Sequence, residues 1–394
     1  VLLPKTGFYV ESGGQVSDTG QILSASGEKW AIAITGMRKP AAGMIVHIGE
    51  VTQGNPQTGD LAIPRVDLDR RVEIMRNHTA THLLHAALHE VLGPHARQAG
   101  SLVAPDHLRF DFNHHEAMTR QEILSVEAHV NQAILANYPL RIAQKPLDDA
   151  IKEGAMALFG EKYDSVVRTI KIGGDSVLSH ELCGGTHVDE TGDIGLFLIT
   201  YEGSIAAGIR RIEAVTGWRA YQRARERMNT LDELNALLGT SAAESLKKVK
   251  NLLEAMNSLE KENEKLRHQL VGSAFDDVMD NLEQIEGIPV LKAVLPNANI
   301  DALREMADKF RGKHPSGVAV LASDQDGKPT LIAAVTEDLV KRGLHAGQLV
   351  QQVAKVVGGG GGGRPTLAQA GGKDASKLAE ALDQVQVYIR EALK

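Results

Sequence analysis

His78 and His82 stand four residues apart in the run Arg76-Asn77-His78-Thr79-Ala80-Thr81-His82-Leu83-Leu84-His85. Leu83, Leu84, Ala87 and Leu88 recur at helical spacing, so the run predicts a helix. Residues i and i+4 lie one above the other on a helix face. The two imidazoles can then aim at one point, as paired histidine ligands of zinc do. Taken alone, the pair could equally belong to a polar helix that happens to carry histidines, since His85 and His89 continue the series. A second pair follows far along the chain. Ser179-His180-Glu181-Leu182-Cys183-Gly184-Gly185-Thr186-His187 holds the only cysteine in 394 residues. A lone cysteine is usually a small buried hydrophobe. Here two glycines and then His187 follow it, and glycine lets backbone approach closely. One thiolate and three imidazoles, Cys183 with His78, His82 and His187, form a borderline-soft set suited to Zn(2+). Four protein donors describe a closed, structural zinc. A catalytic ion would need one of them, Cys183 or His187, to give way to water.

These residues need elements to place them. Residues 1–70 read as β-rich, with apolar runs at Trp30 to Ile34 and Met44 to Ile48 between turn residues. That texture suits part of a β-barrel. Within it, Gly13-Gly14-Gln15 is either a tight turn or a loop presenting Gln15 to a substrate. Residues 71–225 mix both element types. After the histidine helix, Gln98 to Val103 and Leu108 to Phe112 read as strands. Residues 119–137 read as a helix, with Thr119 as N-cap and Glu122 as its capping-box partner. Pro146 to Leu158 reads as a further helix. Strands around 166–172 and 195–201 flank the cysteine loop. The module is therefore α+β.

Residues 226–280 read as one long helical connector. Val249, Met256, Asn263 and Leu270 recur every seven residues, and so do Leu252, Leu259 and Leu266. The pattern fits a coiled-coil-like helix or one long amphipathic helix docked on its own domain. Residues 285–394 read as a small α/β domain, with strands at 288–294, 317–322 and 330–335 and helices near 300–312, 346–357 and 373–392. Between the last two lie six consecutive glycines, Gly358 to Gly363, followed by Arg364. Such a run is usually a linker. The ordered-looking sequence after it favours a loop that cradles phosphate. The whole is an α+β multidomain chain.

Composition narrows the classes. With 43% apolar and 24% charged residues the chain reads as a soluble globular protein. No apolar run reaches membrane-spanning length. A single cysteine fits a reducing, cytoplasmic compartment. A net charge of −7 argues against indiscriminate nucleic-acid binding and confines RNA contact to local basic patches. The chain opens at Val1 without Met and reads as cut from something longer.

The ordered set of FYVESGGQ, RNHTATHLLH, ELCGGTHV, GIRRIEAVTG and GGGGGGRPTLAQAGG resembles the C-terminal part of bacterial alanyl-tRNA synthetases, over essentially all of the chain. The resemblance implies the end of a β-barrel subdomain, a zinc editing core, a helical connector and a C-Ala domain for tRNA binding and homo-oligomer formation. It implies hydrolysis of Ser-tRNA(Ala) and Gly-tRNA(Ala), with the aminoacylation domain and its ATP site absent. By the same resemblance, Thr81, Gln98 and Ser101 lie in the editing pocket. Gln98 orients water or the terminal adenosine, and Arg210 holds phosphate. Three other readings remain. One is a freestanding alanyl-tRNA editing protein. Another is the editing domain of threonyl-tRNA synthetase, where a glycine-rich tail is not expected. The third is a non-catalytic tRNA-binding module with structural zinc.

Overall fold

The structure is a computed structural model and describes residues 1–27, 29–41, 43–157, 163–295, 297–325 and 327–394. The chain folds as two compact units, Val1–Leu234 and Asn235–Lys394.

The first unit opens with β1 (Gly20–Ser24), β2 (Ala31–Ala41), β3 (Met44–Gln53) and β4 (Ala62–Val66), an antiparallel sheet in the order β3-β2-β1-β4. Ile32 and Ile34 alternate inward from β2 and join Ile22, Phe8 and Trp30 in a small core. The barrel expectation needs correction. Closure would require β3 to pair with β4, and among the described residues the sheet stays open.

The helix α1 (Leu68–Leu92) follows. The Asp67 side chain caps it by accepting from the Arg70 N–H, and Gly93 ends it by donating to the His89 carbonyl. Next come β5 (Gln98–Val103), β6 (Leu108–Asn113), α2 (Arg120–Leu135), β7 (Leu140–Pro146), α3 (Leu147–Lys152), β8 (Val166–Gly173), β9 (Val177–Leu182), β10 (Phe197–Ala206) and β11 (Ile209–Thr216). Two antiparallel sheets result, β10-β11-β6-β5 and β7-β8-β9. Leu84 and Leu88 of α1 share one core with Phe110 and Phe112 of β6, Val126 and Val130 of α2, and Phe197 and Ile212. The capping box of α2 forms as the sequence expects, with Thr119 and Glu122 exchanging hydrogen bonds. Such a cap contributes about 1 kcal/mol. The helix expected over 146–158 is shorter. It ends at Lys152 because Gly154 turns the chain with φ +86°, and Leu158 lies outside the described residues.

The helix α4 (Gly217–Leu238) begins in the first unit and ends in the second. The single connector expected over 226–280 is broken at Gly239, where φ is +60°, and resumes as α5 (Ser245–Met279). The second unit continues with β12 (Glu283–Ile285), β13 (Ile288–Val294), α6 (Ile300–Lys313), β14 (Val318–Gln325), β15 (Lys328–Val335), α7 (Glu337–Lys341), α8 (Ala346–Val356), β16 (Gly360–Gly363), β17 (Leu367–Gly371) and α9 (Leu378–Ala392). Its six-stranded sheet runs β12-β13-β14-β15-β17-β16. Only β13 and β14 are parallel. The end of α5 and α6 cover one face, through Phe275 and Phe310. The other face is covered by α8 and α9, through Leu349, Val353 and Ile389. Burial on both faces explains why these strands read as unbroken apolar runs.

The glycine run is also corrected. Gly360–Gly363 is not a loop but a strand at the sheet edge, paired with β17. A Cβ on Gly361 would meet the Gln369 carbonyl at 2.2 Å, and one on Gly347 of α8 would meet the Gly363 carbonyl at 3.2 Å. The glycines let backbones approach closely rather than leaving the chain loose.

Candidate metal centre and its cavity

The helix α1 presents His78 and His82 one turn apart, with rings stacked at 5.3 Å and 9° between planes. Cys183 and His187 follow the end of β9. One ligand atom from each of the four residues lies within 4.8 Å of all the others. The cysteine sulfur is 3.3 Å from His78 Nε2 and 3.4 Å from His187 Nε2. His82 Nε2 is buried with no hydrogen-bond partner.

Each imidazole is fixed from behind. His78 Nδ1 meets Gln15 Oε1 at 2.6 Å, His82 Nδ1 meets Glu181 Oε2 at 2.6 Å, and His187 Nδ1 meets Thr79 Oγ1 at 3.2 Å. Metal-ligating histidines are almost always oriented in this way, through the nitrogen that faces away from the metal. Gly185 must be glycine, since a Cβ there would come 1.9 Å from the His78 ring. Arg168 braces the same turn by donating to the carbonyls of Cys183 at 3.0 Å and Gly185 at 2.6 Å.

The electrostatics suit a cation. Burial opposes ionisation of Cys183, but the neighbouring His78 charge and hydrogen bonds from His187 and His78 outweigh it, and the thiol is held well below its usual range. Burial and the His78 charge push His187 down to about 3, which leaves it neutral. Burial also pulls His82 downward, yet the Glu181 carboxylate prevails and raises it to about 10. Glu181 itself is lowered, because His82 and His85 overcome its burial. The cluster thus keeps a thiolate and favours positive charge beside it, and a divalent ion would satisfy both. The residues present fit Zn(2+).

The cluster opens into a cavity of about 300 Å³, lined among others by Tyr9, Thr81, Gln98, Ser101, Asp164 and Arg168. The loop around Gly14 is strapped to β5. Val103 donates to the Gly14 carbonyl at 2.7 Å, and Val16 donates back to Val103 at 3.0 Å.

A family model described as "Threonyl and Alanyl tRNA synthetase second additional domain" matches residues 167–213, which contain the cysteine loop. "tRNA synthetases class II (A)" matches residues 1–70, and "DHHA1 domain" matches residues 287–391. The alanine–tRNA ligase of Pelotomaculum thermopropionicum is 46% identical over 393 residues, 100% of this chain and 44% of that protein. The chain belongs to the alanyl-tRNA synthetase family. It spans less than half the length of that relative. The ligase of Geobacillus kaustophilus is likewise 46% identical over 390 residues, 99% of this chain and 43% of that protein. Among solved structures, the C-Ala domain from Aquifex aeolicus alanyl-tRNA synthetase is 27% identical and covers 29% of this chain and 99% of its own, with TM-score 0.27. Among the described residues no helix is long and apolar enough to cross a membrane.

Placed in this family member, the residues singled out from sequence separate into groups. Thr81, Gln98 and Ser101 line the cavity. Gln15 does not reach out to a substrate. It is fully buried, accepts from the Thr186 N–H at 2.9 Å and holds His78. Arg210 lies on β11, paired with Glu202, and does not line the cavity. Gly363 and Arg364 line a separate groove in the second unit with Arg304 and Arg311, while Gly358 turns the chain after α8 with φ +66°. Sequence reasoning passed over Glu181 and Thr79. Glu181 lies on β9, which ends at Leu182 before the cysteine loop, so strand alternation could not tie it to the ligands, and it backs His82 only because β9 lies against α1.

Proposed function

We propose that this chain hydrolyses tRNA(Ala) misacylated with serine or glycine, at a site where His78, His82, Cys183 and His187 hold Zn(2+). The observation that carries the reading is the set of three imidazoles and one thiolate, each ring fixed from behind, at the wall of a cavity lined by polar side chains. Bound zinc would supply Lewis acidity toward a carbonyl oxygen or an acidified water.

The chain's own residues would do the rest. In the reaction, water adds to the ester carbonyl, the tetrahedral adduct expels the ribose hydroxyl with its proton restored, and free amino acid and tRNA result. Thr81 Oγ1 donates its proton to the Asn77 carbonyl at 2.9 Å, so its oxygen is left to accept. A seryl hydroxyl would donate to it, which glycine and alanine cannot do. Gln98 offers both an amide donor and an acceptor, enough to orient a water or the terminal adenosine. Ser101 holds the near wall, its hydroxyl directed toward the Gly13 carbonyl at 3.5 Å. Rejecting serine at a small alanine pocket is the kind of discrimination that calls for a second, hydrolytic site.

The test is turnover of Ser-tRNA(Ala) by the purified chain with its zinc content measured in parallel. Hydrolysis above the spontaneous rate is expected, with no ATP-dependent formation of Ala-tRNA(Ala). Four protein donors favour one further reading, a structural zinc in a tRNA-binding module. Bound zinc and tRNA without turnover would select it. In either reading the partners are tRNA(Ala) and, through the C-terminal unit, further copies of the chain.

A further inference from the structure

Among the described residues, two aromatic side chains at the start of α4 are left largely exposed. Trp218 is 62% exposed and Tyr221 is 47% exposed, and their rings stack with centroids 4.9 Å apart and 26° between planes. The other tryptophan, Trp30, is buried in the first sheet. Large aromatics left in water are informative, because burial is their normal fate. Arg219, Arg223, Arg225 and Arg227 are exposed on the same turns, where Glu226 is the one acid. Arg223 pairs with that acid, and among the described residues Arg219, Arg225 and Arg227 form no ion pair. Arg225 lies four residues after Tyr221 and seven after Trp218, which puts all three on one helix face. In a chain of net charge −7 this is a local reversal of sign.

The patch is also held firmly. Gly217 turns the chain from β11 into α4 with φ +56°. Thr216 donates to Asn77 Oδ1 at 2.8 Å, and Asn77 immediately precedes His78. A flat aromatic pair that is already ordered loses little freedom on binding. Flat π surface beside unpaired arginines is the chemistry that takes a nucleobase by stacking and its phosphates by charge.

We propose that the first turns of α4 form an RNA contact, in which Trp218 and Tyr221 stack on an unpaired base and Arg219 and Arg225 hold the adjoining phosphates. The proposal rests on tRNA being the partner and adds the surface that grips it. The test uses the full chain with uncharged tRNA(Ala) and, separately, a short single-stranded RNA, reading tryptophan emission and affinity. Both RNAs are expected to quench the emission of Trp218. Trp218→Ala should weaken binding roughly 5- to 150-fold and Trp218→Phe much less. Tyr221→Ala provides a second stacking variant. The pair Arg219→Glu and Arg225→Glu should weaken binding and flatten its salt dependence. Zinc content and thermal transition of each variant should match the parent, since the side chains are exposed. Unchanged RNA affinity in both Trp218→Ala and Tyr221→Ala overturns the proposal. So does a loss of self-association without a loss of RNA affinity, which would make the face a protein interface. Because the RNA is uncharged, failure to hydrolyse Ser-tRNA(Ala) would sink the editing reading and leave this contact standing.

Discussion

Two helices of this molecule, α1 and α5, both carry apolar residues, yet they meet opposite fates. In α1, polar side chains are buried beside the leucines. Asn77, His78, Thr79, His82 and His85 all have partners across the fold, and Thr81 bonds one turn back to the Asn77 carbonyl. In α5, of 35 residues only Val271, Phe275 and Met279 are buried, and all three sit near its end. The regular seam of Leu252, Leu259 and Leu266 faces solvent. Periodicity reports a stripe and says nothing of what covers it. Burial of polar groups, by contrast, demands partners, and the partners reveal the site.

The largest expected effect breaks the α1 side of this comparison. His82→Ala or Cys183→Ala should remove essentially all bound zinc and all hydrolysis, as read by elemental analysis and turnover. Full retention of one zinc would show that the four donors do not act as a set. The ring-backing groups should matter next. Glu181→Gln and Gln15→Ala are expected to lower zinc affinity roughly 10- to 100-fold, measured by chelator competition. An unchanged affinity would make those hydrogen bonds incidental to metal binding.

Glu181 also sets a pH dependence in metal-stripped protein. The His82 pKa, raised to about 10, means a contribution fully present below the ordinary histidine value of 6.5. That contribution fades as pH rises through about 10. The Tm of stripped parent should therefore decline across this window more steeply than that of Glu181→Gln. Parallel slopes would show that the pair carries no such linkage. With zinc bound the trend is opposite, because acid protonates the ligands and releases the metal.

Thr81→Val and Gln98→His sharpen the division between holding metal and using it. Each should slow Ser-tRNA(Ala) hydrolysis roughly 5- to 150-fold, the effect of one lost hydrogen bond of about 1 to 3 kcal/mol. Zinc content should not change. Loss of zinc and rate together would move the residue into the structural set. The smallest effect belongs to α5. Leu252→Gln with Leu259→Gln should shift stability by no more than about 0.5 kcal/mol, because exposed positions carry little of the fold. Sedimentation should nonetheless show weaker self-association. A large fall in Tm with unchanged sedimentation would mean the seam is covered within its own chain.

The sequence by itself determined the local terms. Spacing of four put His78 and His82 on one face, Thr119 and Glu122 made their capping box, and the apolar runs of the C-terminal sheet were visible because both its faces are buried. Those are near-neighbour properties, set by helical pitch and by side-chain chemistry. Only the tertiary structure decided which distant groups meet. Glu181, Thr79 and Gln15 became the backing of three imidazoles because β9, α1 and the Gly14 loop converge. Gln15 changed from an apparent substrate contact to a buried brace, and Arg210 was taken up by Glu202. The glycine run became an edge strand because α8 and β17 press close to it, a fact of packing that composition cannot show. The long connector broke at Gly239 because one residue adopted positive φ, which glycine permits but does not require.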